Sequence, residues 1–383
     1  MVRLAVPRYL KMLLDLKYIK THQLDKLDLM FLHQKPTGTL NLAKRPTIAD
    51  LARETGLGVA TIDRALNGRS HVSARTIQRV ALAAEKLGYY AAGHATSPIA
   101  RDNPPELVLG FVLHKPAHAF YQRFADNLRE ACAARGDYRI QVEIQFPQSQ
   151  SETDCIKAIE QVAQKAQAIA VVAPNMPEVL DALERIHTGG TPVFTLLNDI
   201  REHLRDGYYG TDNLKAGRVA AWMLTTQIKH PGKLAVFVGH SRWHSHMMRE
   251  AGFQAYLRQF EPDFELLAPL VNLDTRQTCY EATLAVLQRE PDLRGIYVAG
   301  GGMEGAIKAL RAMRPAKKVA LVVHELTTVS RKALLDRYVS LVLDTPLPEI
   351  CAAVVSAQID AINGGSVGPR TSFSPQLFGP ESV

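Results

Sequence analysis

The chain has 383 residues, 46% of them hydrophobic and 22% charged, a balance typical of a globular protein with room for one small and one large domain and unlike disordered or collagen-like chains. Residues 1–98 carry fifteen Lys/Arg against seven Asp/Glu and residues 99–383 carry thirty against thirty-one, so the basic excess lies wholly in the N-terminal quarter and points to a polyanion partner there. Cys132, Cys155, Cys279 and Cys351 form no CxxC pair, no run approaches transmembrane length, and no secretory signal opens the chain. The expectation is a reduced, cytoplasmic protein with no metal, no cofactor and no membrane partner.

Residues 1–44 form an extension with two readings. Leu10, Leu13, Leu14 and Leu16, then Leu24, Leu27, Leu29, Met30, Phe31 and Leu32, could line an amphipathic contact helix, or the segment is poorly ordered or lies upstream of the true start. The poorly ordered reading is the expectation.

Residues 45–90 read as three short helices. Thr47 is an N-cap with Asp50 at N3, and Ile48, Leu51 and Ala52 share one face. Gly56 turns the chain. A second helix from about Val59 to Leu66 turns Ile62, Ala65 and Leu66 inward and leaves Val59, Ala60, Asp63 and Arg64 more exposed, with Asn67-Gly68 as its stop. A third helix starts at Ser73, carries the stripe Ile77, Val80, Ala81, Ala84 and Leu87, and closes at Gly88. Two helices around a glycine turn, the second carrying small side chains and one arginine on its polar face, have the layout of a helix-turn-helix DNA reader. Arg64 in particular has the fork that matches a guanine edge.

These motifs, Thr-Ile-x-Asp-Leu-Ala, Gly-Leu-x-x-Ala-Thr-Ile-x-Arg-Ala-Leu-Asn-Gly, and His71-Val72-Ser73 through Leu87-Gly88-Tyr89, resemble those of the LacI/GalR (lactose-repressor/galactose-repressor) family of bacterial transcription regulators. The resemblance implies that Val59 and Ala60 select bases, that Arg64 reaches a guanine in the major groove, and that Thr61, Asn67 and His71 lie near phosphate. Thr47 and Ile48 complete the DNA-facing set. The chain departs from the family at Gly58, where Ser usually caps the recognition helix, and at Asp63, where Ser is common. In the linker, residues 91–105, Pro98 stands where members place a minor-groove leucine, leaving Ile99 as a shifted wedge.

From residue 106 to 365 apolar strands alternate with helices. Strands are read at Leu107–Leu113, Ile140–Phe146, Ala168–Ala173 and Pro192–Leu197. A Gly210-Thr211-Asp212-Asn213 turn follows, then strands at Leu234–Val238, Leu266–Val271, Ile296–Ala299, Val319–Val323 and Ser340–Leu343. Helices include Phe124–Arg135, Thr153–Ala166 and Tyr280–Arg289. Such βα alternation means α/β architecture with parallel sheets, and the strand number suits two lobes with a ligand cleft at the strand C-termini. Residues 366–383 form a tail without heptads, so no tetramerising coiled coil is expected.

This region resembles the periplasmic-binding-protein fold of the same family's effector domain. Phe120-Tyr121, Gly210-Thr211-Asp212-Asn213 before Ala216-Gly217-Arg218, Arg249 before Gly252-Phe253, His324-Glu325-Leu326-Thr327 and Asp344-Thr345-Pro346 carry the likeness. It implies stacking on Phe120 and hydrogen bonds from Asn198 or Asp199, Asp212, Arg249, His324 and Asp344. Each could instead serve the core, a helix cap or a structural polar pair. His240, Trp243, His244 and His246 resemble a metal site only in composition and are expected to line the cleft or a loop.

Gly300-Gly301-Gly302-Met303-Glu304-Gly305 fits the GxGxxG dinucleotide fingerprint, with Glu325 about twenty residues on. A nicotinamide-dinucleotide oxidoreductase or redox-sensing regulator is therefore the rival reading. The motif comes late, after many βα units, and the alternative is a glycine turn that brings backbone, Gly301 included, up to the effector. No catalytic constellation stands out, and an enzyme is not expected. The reading adopted is a DNA-binding helix-turn-helix head joined to a two-lobed periplasmic-binding-protein-like body. Its partners would be double-stranded operator DNA, a small sugar-like effector acting allosterically, and a second copy in a homodimer.

Overall fold

The computed structural model describes residues 46–66, 72–87, 104–368 and 370–383. The extension 1–44, the hinge residues Pro98 and Ile99, and Asn67 and His71 lie outside the described residues. The chain divides into two compact units, with the break between Ser97 and Pro98.

The first unit contains helices α1 (Ile48–Thr55), α2 (Val59–Leu66) and α3 (Ala74–Leu87). Thr47 and Asp50 form a reciprocal capping box at the start of α1, and Gly56 ends that helix in the left-handed conformation at φ 62°. Those two features fix a single turn of helix direction between α1 and α2. Leu51 and Ile62, both with no exposed surface, pack with Val80 and Ala83 as the core. The Arg79 guanidinium donates to the Thr55 carbonyl, so α3 also satisfies an acceptor left open at the end of α1.

The second unit begins with β1 (Glu106–Val112), α4 (Ala119–Ala133), β2 (Arg139–Gln145), α5 (Glu152–Ala163), β3 (Ala168–Val171), α6 (Pro177–Thr188), β4 (Val193–Leu196) and β5 (Gly207–Thr211). It continues through α7 (Asn213–Gln227), β6 (Lys233–Val238), α8 (His244–Phe260), β7 (Glu265–Leu266), β8 (Leu270–Val271), α9 (Arg276–Arg289), β9 (Leu293–Val298), α10 (Met303–Met313), β10 (Ala320–His324), α11 (Thr328–Leu335) and β11 (Leu341–Asp344). It closes with α12 (Leu347–Ile362), β12 (Arg370–Phe373) and β13 (Gln376–Phe378).

These strands make two sheets. The first has the order β12-β5-β4-β3-β1-β2, all parallel. The second has the order β13-β11-β10-β9-β6-β7, with β8 also paired to β6 and only β13 antiparallel. The chain leaves the first sheet after β5, returns between β11 and α12, and crosses again between β12 and β13. Helix α12 packs Leu347, Ile350 and Val354 into the core of the first lobe beside Phe111 and Phe124. The two-lobed α/β architecture with parallel sheets is thus the one read from the alternation.

Local readings differ at three places. Gly210 and Thr211 lie within strand β5, and the turn begins only at Asp212. A Cβ at Gly210 would run into the Tyr208 hydroxyl, so the glycine serves close packing rather than a bend. The run read as one strand over Leu266–Val271 splits into β7 and β8. Pro269 lies between them and has no N–H for a ladder. Residues 366–383, set apart as a tail, supply β12 to one sheet and β13 to the other.

Helices α7 and α8 touch backbone to backbone. A Cβ on Gly217 would collide with the Arg249 carbonyl, and one on Gly252 with the Leu214 carbonyl. Gly217→Ala therefore must push the helices apart, at about 1–3 kcal/mol as for other overpacked sites. A lower urea midpoint for the body is the expected result. An unchanged midpoint would mean the helices separate without cost.

Candidate functional site

The C-terminal ends of both parallel sheets open onto one cavity. His114 and Lys115 follow β1, Phe120 and Tyr121 lie in the first turn of α4, and Leu197 and Asn198 follow β4. From the second lobe come Trp243, Ser245, His246 and Arg249 at the start of α8. Asp274 precedes α9, Gly300 to Glu304 span the loop into α10, and His324, Glu325 and Thr345 follow β10 and β11. Side chains just past the carboxyl ends of parallel strands are where open α/β sheets place ligand contacts.

The backbone at these positions is held in costly conformations. Lys115 (φ 48°), Leu197 (φ 61°), Asp274 (φ 53°) and Glu325 (φ 70°) are four of the seven non-glycine residues with positive φ among those described, and all four border the cavity. Such conformations cost on the order of 1–3 kcal/mol each and persist only where the surroundings over-determine them. Strain is therefore concentrated around the cavity rather than spread over loops.

Contacts join the lobes across it. Lys115 Nζ donates to the Asp274 carbonyl at 3.2 Å. The Arg123 guanidinium donates to Asp344 at 3.0 Å, to Glu325 at 3.4 Å and to the Leu326 carbonyl at 3.2 Å. The Ser245 amide donates to Asn198 Oδ1 at 2.9 Å, and the Trp243 ring meets the His114 ring edge-on at 5.3 Å.

Burial sets the charge states. Desolvation brings the His114 and His246 imidazoles down to about 4 and lowers His118 and His324 as well. Desolvation, reinforced by the Asp344 carboxylate, pushes Glu325 up, and desolvation pulls the Lys115 ammonium down. The uncharged His324 ring bonds to the Tyr297 hydroxyl at 2.8 Å, and Tyr297 stacks on Phe253.

Of the effector positions read from sequence, Phe120, Asn198, Arg249, Gly301 and His324 border the cavity, whereas Asp199, Asp212 and Asp344 do not. Asp199 is held by Arg205 at 2.6 and 3.0 Å. Asp212 caps α7 by accepting from the Lys215 amide. Asp344 accepts from Arg123 and from the Leu326 amide at 2.8 Å. Phe120 borders the cavity while packing on Phe124 in the core. Trp243 and His246 border the cavity, but His240 and His244 do not. No group of His, Cys, Asp and Glu among the described residues is arranged to hold a metal. Lys115 and Asp274 were not singled out by motif; their one signal in the sequence is their place just after a strand, whereas Glu304 stands within the glycine run 300–305.

In the head, Val59 (54% exposed), Ala60 and Arg64 lie on the outer face of α2, with Thr61 half-buried. Arg64 Nε donates to the Ala60 carbonyl at 3.1 Å. Gly58 caps α2 through its carbonyl alone, accepting from the Thr61 and Ile62 amides at 2.8 and 3.0 Å. Thr47 is exposed at the start of α1, and Ile48 is half-buried.

A helix-turn-helix head and a two-lobed body with a polar cleft define a ligand-responsive DNA-binding protein. Residues 47–91 match the bacterial regulatory proteins of the lacI family, and residues 109–366 match the periplasmic binding protein domain family. The chain belongs to the LacI family of bacterial transcription regulators; it is not an enzyme, and the family's work is done in the cytoplasm. It is 22% identical over 340 residues, covering 86% of this chain and 96% of the relative, to the sucrose operon repressor of Pediococcus pentosaceus. Over 94 residues, 24% of this chain and 27% of the relative, it is 32% identical to the maltose regulon regulatory protein MalI of Escherichia coli (strain K12). In fold it is similar to an ABC transporter solute binding protein from Agrobacterium vitis bound with alpha-D-tagatopyranose, at TM-score 0.67 and 18% identity over 72% of this chain and 95% of that one. GanP, a glucose-galactose binding protein from Geobacillus stearothermophilus, is similar at TM-score 0.67 and 18% identity over 74% and 99%.

The neutral histidines have a consequence for stability. A ring held at about 4 in the folded body and near 6.5 when unfolded binds fewer protons folded, so its contribution is complete above pH 6.5 and declines as the pH falls towards 4. The depression corresponds to about 3 kcal/mol for each ring. His114→Gln and His246→Asn are each expected to flatten the loss of the urea midpoint between pH 7 and pH 4. Parallel curves for parent and variants would show that the rings ionise freely in the fold.

Proposed function

We propose that this regulator is a repressor whose operator affinity is set by a sugar or sugar derivative bound between the lobes of its body. The observation that carries the reading is the cavity itself, where both sheets deliver aromatic rings and hydrogen-bonding groups to one space. The solute binding proteins of similar fold are described with sugars, and a sugar's mixed apolar faces and hydroxyls suit such a lining. Phe120 and Trp243 supply rings, and Asn198, Arg249 and His324 supply polar groups. An effector that binds the closed body more tightly than the open one shifts the equilibrium between them, and DNA affinity with it.

On the DNA side, Val59 and Ala60 meet base edges by apolar contact, Arg64 reads a guanine, and Thr47, Ile48, Thr61, Asn67 and His71 lie along the backbone. One short recognition helix reads only a few base pairs. The functional unit is therefore a homodimer on a pseudo-palindromic operator with half-sites about one helical turn or a multiple apart.

Two experiments test this. Arg64→Ala should lose about 1–3 kcal/mol of discrimination at one position of each half-site, measured by operator-variant gel shifts, while effector binding persists. Unchanged selectivity would remove Arg64 from base reading. Of the two tryptophans in the chain, Trp243 borders the cavity and Trp222 is 44% exposed on α7. A binding sugar should change the emission of the protein, and Trp243→Phe should abolish that change while a thermal shift of about 2.7 kcal/mol at a hundredfold excess over Kd remains. A sugar-dependent signal that survives in Trp243→Phe would place the effector elsewhere.

A further inference from the structure

The glycine run 300–305 is the motif that the regulator's function does not by itself explain, and it forms one wall of the cavity. In a phosphate-binding loop of this pattern the backbone amides stay free for the ligand. Here the Gly301 amide donates to Asp274 Oδ1 at 2.7 Å, and the Gly301 carbonyl accepts from Asn272 Nδ2 at 2.9 Å. A Cβ on Gly300 would collide with the His246 ring and lie 2.6 Å from Asp274 Oδ1. The glycines thus make room for a carboxylate of the chain itself, at the place where a ligand's phosphate would otherwise sit.

A second carboxylate stands beside it. Glu304 lies in the first turn of α10 and faces the cavity, where the helix N-terminus favours its negative charge. Among the described residues its carboxylate takes part in no hydrogen bond or ion pair of the kind that holds Asp274 or Asp344, and its charge acts on Lys115 and His118. The cations on the same cavity give their hydrogen bonds to the chain itself, and the Lys115 charge is answered by Asp274 and Glu304. Arg249 donates to Asn213 Oδ1 and to the Ala299 carbonyl, both at 2.8 Å, and Lys115 donates to the Asp274 carbonyl. The neutral His114 and His246 add no positive charge.

We infer that this wall excludes anions: the effector is an uncharged polyhydroxy compound, one of whose hydroxyls donates to the Glu304 carboxylate, and sugar phosphates and sugar acids are rejected. The inference rests on the sugar reading above and narrows it. A carboxylate with open lone pairs in a partly desolvated site accepts from hydroxyls strongly, and the same charge repels an incoming anion.

The test is isothermal titration of the full-length protein. The probes are hexoses, pentoses and polyols, each with its uronic or aldonic acid and its phosphate ester. At least one neutral compound is expected to bind, with its acid and its phosphate about 100-fold weaker or more, a difference of about 2.7 kcal/mol. In Glu304→Gln, neutral binding should weaken about tenfold and the neutral-to-anion ratio should contract by about tenfold, or about 1.4 kcal/mol. An acid or phosphate that binds as tightly as its neutral parent overturns the inference and leaves the sugar reading standing, as does a ratio that Glu304→Gln leaves unchanged. Binding by none of the compounds overturns the sugar reading and this inference together.

Discussion

The body depends on a topological constraint: its chain passes between two parallel sheets three times, after β5, after β11 and after β12. Because neither lobe is built from one continuous stretch, neither can be completed until the crossings are made. The Asp212 amide donates to the Phe373 carbonyl, tying two of the crossing segments together at 3.0 Å. Asn213, next in the chain, accepts from Arg249, which links that crossing to the cavity wall. A rotation of one lobe against the other must bend the chain at these crossings.

The second constraint is electrostatic. A cavity rich in titratable groups could be expected to bristle with charge, but burial leaves the imidazoles neutral and favours the protonated form of Glu325. Apart from the Glu304 carboxylate at the cavity wall, the charges that remain are placed with partners. Arg123 answers the Asp344 carboxylate across the lobes, and Lys115 sits against the Asp274 backbone. Beside the Glu304 charge, the cavity offers hydrogen-bonding groups and aromatic rings, which discriminate by leaving unmatched polar groups unpaired. The left-handed backbone at Lys115, Leu197, Asp274 and Glu325 is the conformational cost of aiming those groups from strand ends into one space.

Much of this was legible in the chain because it is local. The capping box at Thr47 and Asp50, the left-handed Gly56 and the inward face of Leu51 and Ile62 follow from residues within a few positions of each other, and the head could be read helix by helix. The βα alternation likewise announced two parallel sheets. Strands β5, β12 and β13 were not legible, because they are short and carry little apolar patterning of their own. They are strands only through partners far away, such as Thr371 beside Tyr209 and Leu343 beside Leu377. The split between β7 and β8 was signalled by Pro269, a donor missing from the middle of an apolar run.

The sequence by itself determined the helix-turn-helix head, the basic charge that accompanies it and the alternating body, since each rests on short-range periodicity, capping and composition. Only the tertiary structure decided which polar residues meet. It sent Asp199 to Arg205, Asp212 to a helix cap and Asp344 to Arg123, while bringing Lys115, Asp274 and Glu304 to the cavity. It also turned a nucleotide-like glycine run into a seat for Asp274. The physical reason is that a carboxylate's role is set by the charge, donor or water within a few ångströms of it, and those neighbours arrive from strand ends that are remote in the chain.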